Sequence, residues 1–96
     1  MIDEIREAIE NRRLLEFRYD GGVRVVEPHC YGITSAGNEG LRAYQVSGHS
    51  TSGKMGWKMF DLANASAITI LDQNFDGPRP GYKRNDRQMK RIICQL

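Results

Sequence analysis

No stretch of this 96-residue chain approaches the ~20 consecutive apolar residues that a bilayer-spanning helix requires, so no transmembrane helix is expected. Cysteine is scarce. Cys30 and Cys94 lie far apart in sequence, and the opening Met1-Ile2-Asp3-Glu4-Ile5 is acidic and amphipathic, unlike a secretory or transit leader. Both cysteines are therefore expected as free thiols in a reducing cytoplasm. There is no internal repeat, no low-complexity tract and no helix-turn-helix. Acid–base chemistry has no obvious pair of carboxylates, and the Ser, His and Asp residues form no known nucleophile elbow. His29, Cys30, His49 and Cys94 show none of the close pairings typical of a zinc site. An enzyme is not expected, nor are a metal or a cofactor.

What is present is ordinary in amount and unusual in placement. An apolar fraction of 40% and a charged fraction of 27% fit one globular domain with a modest core. The formal net charge of +2 hides an asymmetry. Residues 1–77 carry eight basic and eleven acidic side chains, a net of −3, whereas residues 78–96 carry six basic side chains against Asp86 alone, a net of +5. A basic tail on a mildly acidic body points either to a polyanionic partner or to docking on the protein's own acidic surface.

The periodicity changes along the chain. Ile2, Ile5, Ala8 and Ile9 share one face of a helix expected over residues 3–13, with Asp3, Glu4 and Glu7 at its start and Arg12 and Arg13 at its end. Leu15, Phe17 and Tyr19 then alternate with Glu16 and Arg18, as in a half-buried strand. Asp20-Gly21-Gly22 reads as a hairpin turn, and a second strand runs from Val23 to about Tyr31, with Pro28 marking an edge, bulge or bend. Further strands are expected over 41–48, 57–62 and 67–71, separated by loops at 35–40 and 49–56 and a short turn at 63–66. A helix followed by five short antiparallel strands fits a mainly β, SH3/Sm-like five-stranded barrel over residues 1–75.

Residues 76–96 form the second part. Asp76-Gly77-Pro78-Arg79-Pro80-Gly81 is a rigid connector. Met89, Ile92, Ile93 and Leu96 fall at i, i+3, i+4 and i+7, which predicts a C-terminal amphipathic helix capped by Asn85 or Asp86.

The residues Ala8-Ile9, Leu15-Glu16-Phe17-Arg18-Tyr19, Arg24-Val25-Val26-Glu27-Pro28, Ala43-Tyr44-Gln45 and Trp57-Lys58-Met59-Phe60-Asp61-Leu62, in that order, resemble the WYL domain family. The resemblance covers about residues 2–75, and Arg-x-Val-Glu-Pro after a Phe-x-Tyr strand is its most specific part. It implies an Sm-like barrel of the kind often found beside a helix-turn-helix in bacterial transcription regulators, binding nucleic acid or another anionic ligand. Carried over residue by residue, it makes Arg24, Tyr44 and Lys58 ligand-facing. Only Tyr44 survives of the family's name-giving triplet, and Asp61 stands where an arginine is usual, so a phosphate would be held less tightly.

Each candidate has a plainer reading. Arg24 and Lys58 would be solvated strand cations and Tyr44 a core residue. The tail's Tyr82, Lys83, Arg84, Arg87, Lys90 and Arg91 interleave an aromatic with cations, as nucleic-acid-binding segments do, but the apolar stripe beside them also suits packing on the barrel. Gly48-His49-Ser50-Thr51-Ser52-Gly53-Lys54 imitates a phosphate-binding loop, yet Met55 follows the lysine and Gly56-Trp57 begins a strand rather than a helix. It is read as a hairpin loop. The expected function is a non-enzymatic module of transcriptional or defence regulation, binding nucleic acid or a nucleotide-like ligand. The alternative is a structural protein-interaction or homo-oligomerisation module, and no membrane partner is expected.

Overall fold

In the computed structural model, which describes residues 2–96 apart from the side chain of Ile2, one short helix packs against a sheet of six antiparallel strands. The elements are α1 (Ile2–Glu10), β1 (Arg13–Tyr19), β2 (Gly22–Thr34), β3 (Glu39–Gly48), β4 (Gly56–Asp61), a 3-10 turn (Leu62–Asn64), β5 (Ala65–Asn74) and β6 (Met89–Gln95). Among the described residues, no helix is long and apolar enough to cross a membrane.

The helix stops earlier than its periodicity suggests. Asn11 caps it by donating from its side chain to the Glu7 carbonyl, and Arg12 turns left-handed at φ 52°. Arg13 is released from the helix to open β1, where it reaches the Leu71 carbonyl at 2.7 Å and Asp72 at 3.1 Å. Ile5, Ala8 and Ile9 are buried in the core, as their shared face requires.

The strand order is β4-β3-β2-β1-β5. β4 and β5 are thus opposite edges of the path, yet only Leu62–Asn64 separates them in the chain. A flat sheet would hold these edges roughly 19 Å apart, four strand spacings. The sheet therefore curls, and its concave face encloses Leu15, Phe17, Val26, Tyr31, Leu41, Ala43 and Phe60 together with the helix. It remains open, since among the described residues no ladder joins β4 to β5.

β2 is long because it serves two neighbours on one side. Residues Gly22–Val26 pair with β1, and residues Cys30–Thr34 pair with β6. Pro28 stands between the two ladders, where an absent N–H costs least. The next residue, His29, is an extra residue in the β2–β3 register, which steps from Pro28↔Ala43 to Cys30↔Arg42.

The expected C-terminal helix is a strand. The register runs Thr34↔Met89, Ile33↔Arg91, Gly32↔Ile92, Tyr31↔Cys94 and Cys30↔Gln95, so Lys90 and Ile93 are each inserted without a partner. Two bulges in seven residues convert the two-residue period of a strand into intervals of three and four, which imitate a helix. Gly32 makes the pairing possible, because a Cβ there would collide with the Arg91 carbonyl oxygen. Asp86 caps no helix. It accepts from the Gln88 amide at 2.9 Å in a turn and pairs with Arg42 at 2.7 Å.

Candidate functional site

The three ligand-facing candidates do not gather on one surface. Arg24 lies opposite Phe17 on β1 and Lys58 opposite Ala43 on β3, both core residues, so the two cations belong to the concave face. Tyr44 lies opposite Glu27 and Trp57. Because neighbouring strand residues alternate in direction, Trp57 and Lys58 lie on opposite faces and Tyr44 goes with Trp57.

Arg24 is only 4% exposed, with its guanidinium carbon 5.0 Å from the Tyr19 ring centre and 5.7 Å from that of Phe60. Among the described residues its side chain makes one hydrogen bond, a long one of 3.4 Å from a terminal nitrogen to the Thr51 hydroxyl. The adjacent Ser50 hydroxyl accepts from Lys58 at 2.7 Å. Both cations thus reach the same edge of the loop at residues 49–55. Burial first, and then the nearby Arg24 guanidinium, lowers the pKa of Lys58.

No ion pair among the described residues involves Arg24 or Lys58. Asp61, expected to oppose them, is used elsewhere. It lies two residues after Met59 and four after Trp57 on the far side of β4, and its carboxylate accepts from the Ala63 amide at 3.1 Å to cap the 3-10 turn. Among the described residues the buried Arg24 Nε has no hydrogen-bond partner, and neither does the buried Oε1 of Gln45 on the neighbouring strand. Gln45 meanwhile donates to the carbonyls of Ser47 and His49 at 3.0 and 2.8 Å, fixing the root of the loop. A guanidinium removed from water normally finds a carboxylate or a full set of acceptors. This one has neither. Residues 49–55 above it form a loop that leads directly from β3 into β4, with no helix to receive phosphate.

The convex face is built differently. Glu27, Tyr44 and Trp57 are in register across β2, β3 and β4, and residues 75–82 cross above them as a strap. Arg79 binds the Glu27 carboxylate through two nitrogens at 2.8 and 3.0 Å and lies 4.4 Å from the Tyr44 ring centre. Its backbone N–H donates to His29 Nε2 at 3.1 Å, so His29 is a neutral imidazole whose Nδ1–H donates to the Glu27 carbonyl at 2.8 Å. Burial holds the pKa of His29 below its usual value. Both ring nitrogens are occupied, and among the described residues no cluster of His, Cys, Asp and Glu could hold a metal.

The tail residues divide into two sets. Tyr82 packs against His29 and Trp57, with ring centres 5.0 and 6.0 Å apart, and its hydroxyl lies 3.3 Å from the His29 carbonyl. Burial raises its pKa to about 12, so it stays neutral. Arg84 donates to the Leu96 carbonyl at 2.8 Å. Lys83, Arg84 and Arg87 border a cleft of about 630 Å³ beside Trp57 and Arg42. Lys90 and Arg91 are exposed on β6 and do not line it. Sequence reasoning missed Arg79, Glu27 and Trp57 as a unit. The signal available was Arg79 itself, held between Pro78 and Pro80 in a segment too stiff to present it at random.

No known protein family, curated protein or solved structure matches this chain.

Proposed function

We propose that the chain is a non-enzymatic regulatory module, acting in transcriptional or defence regulation, that binds a nucleotide-like anion on its concave face. One observation carries the reading: Arg24 is buried with no carboxylate partner and with Nε unpaired, beside Lys58. Uncompensated burial of a cation is costly, and an anionic ligand would supply the missing charge and acceptors. Ser50 and Thr51, which occupy the two cations now, lie on a loop able to give way. The resemblance to WYL domains names these two residues together with Tyr44, and the curl of β4-β3-β2-β1-β5 supports an SH3/Sm-like barrel class.

Calorimetric titration of ATP at low and moderate salt tests the proposal. Binding that weakens by roughly 10- to 100-fold in Arg24→Gln and in Lys58→Glu is expected, the loss of a charged hydrogen bond each. Absence of binding at low salt, or affinity indifferent to both substitutions, overturns it.

A second reading rests on the strand edges. β4 and β5 each have one unpaired edge among the described residues, and such edges recruit other strands. Truncation after Phe75 would strip β6 from β2, so a proline at Thr69 in β5 is the better probe. Light scattering that shows a concentration-dependent dimer in the wild type, abolished by Thr69→Pro, would favour this reading.

A further inference from the structure

We infer that the cleft between Trp57 and residues 81–88, on the convex face, is a second binding site that takes single-stranded nucleic acid. It goes beyond the concave-face proposal and does not depend on it, because Trp57 and Lys58 are successive residues of β4 that point to opposite faces.

The cleft has an aromatic floor that is fixed in place. Trp57 and Tyr82 lie nearly parallel, at 21°, and the indole Nε1 donates to the Pro80 carbonyl at 3.1 Å. An indole tethered at its nitrogen cannot swing away, so its accessible part is a preformed stacking surface. The volume of about 630 Å³ lies within the range of small-ligand sites.

The rim is cationic. Arg42 is neutralised by Asp86, whose carboxylate burial disfavours but the hydrogen bonds from Arg42 and the Gln88 amide outweigh, holding its pKa low. Lys83, Arg84 and Arg87 have no acidic partner among the ion pairs of the described residues. Three such cations within five residues repel one another unless an anion lies between them.

The choice of a polymer over a single nucleotide comes from continuity. Arg87 and Gln88 also form one wall of an adjoining depression of about 390 Å³, which is lined on its far side by Tyr19, Met59 and Phe60. The surface thus runs from an aromatic floor past a cation to a second depression walled by Tyr19 and Met59, with Phe60 buried beneath it. One base can stack at Trp57 while the backbone meets Arg87 and the next nucleotide enters the adjoining depression. Only unpaired bases offer their faces in this way, which excludes a duplex.

Trp57 is the single tryptophan of the chain, and it is a built-in reporter for this cleft. Its fluorescence should be followed while oligo(dT), oligo(U), ATP and a short DNA duplex are titrated into the full chain. Quenching by either oligonucleotide supports the proposal, and the two distinguish DNA from RNA. The affinity should fall with salt with a logarithmic slope of about −2 for three neutralised phosphates. Lys83→Glu combined with Arg87→Glu should weaken oligonucleotide binding at least about tenfold while leaving any Arg24-dependent ATP binding unchanged. The inference is overturned if oligonucleotides leave the emission unchanged, if the double variant binds them as tightly, or if the duplex quenches as well as the single strands. Lys83 and Arg87 border neither Arg24 nor Lys58, so the double variant leaves the concave site to its own ATP titration.

Discussion

Arg79 and Glu27, 52 residues apart in sequence, form a two-pronged ion pair at 2.8 and 3.0 Å that pins the strap to the convex face of the sheet. The carboxylate side chain is 9% exposed and the guanidinium side chain 40% exposed. The pair is thus buried at one end and wet at the other.

Arg79→Ala leaves the Glu27 carboxylate buried without its partner. Breaking a fully buried pair costs several kcal/mol, but solvent reaches Arg79, so a loss of about 1–2 kcal/mol is expected in urea denaturation. Glu27→Gln in the Arg79→Ala background should recover part of that loss, because the uncompensated charge is gone.

His29 links the strap to pH. Its folded-state pKa lies below the unfolded value of about 6.5, so the unfolded chain takes up the proton first as pH falls. Its contribution is complete above that value and declines as pH drops towards the folded pKa, by at most ~1.4 kcal/mol per pH unit. Denaturation midpoints measured between pH 7.5 and 5 should fall for the wild type. The part of the slope that His29→Gln removes is the part due to this residue. A slope that is the same in both proteins would show that His29 does not titrate against folding.

Gly32→Ala tests β6. The added methyl meets the Arg91 carbonyl, so β6 must shift away from β2 at a cost of about 1–3 kcal/mol. Amide exchange should show the loss of protection concentrated in residues 89–95 and their partners 30–34. Were residues 89–96 a helix lying on the sheet, the alanine would be nearly neutral.

The thiols give a fourth test. Burial pushes the Cys30 pKa up to about 11, and burial also raises that of Cys94. Neither is a ready thiolate at neutral pH. Labelling with a disulfide reagent should be slow at both sites in the native protein and fast for both in denaturant.

The amino-terminal half was legible because its signals are local. Leu15, Phe17 and Tyr19 alternate cleanly, and Asp20-Gly21 supplies the left-handed turn, with φ of 44° and 88°. β6 was misread because Lys90 and Ile93 are bulged, which spaces Met89, Ile92, Ile93 and Leu96 like a helix. The pairing that decides the matter involves Gly32, some sixty residues earlier, and no window on the tail contains it. The site divides in the same way. Family-like spacing named Arg24 and Lys58 together with Tyr44, but it carried no information about which face each occupies. That follows from the pairing of Ala43 with Lys58 and of Tyr44 with Trp57. Asp61 looked like an opposing charge only while its role as a turn cap was out of sight.

On the proposed function, Arg24 is kept for a ligand at a cost to the stability of the fold alone. The most direct measurement is the denaturation midpoint of Arg24→Met against wild type, each with and without ATP. A methionine fills the space between Tyr19 and Phe60 without an unpaired charge. The variant should be as stable as the wild type or more so without ATP, and ATP should stabilise the wild type alone. A variant that is clearly less stable, and that responds to ATP as the wild type does, would contradict the proposal, leaving Arg24 as a structural residue.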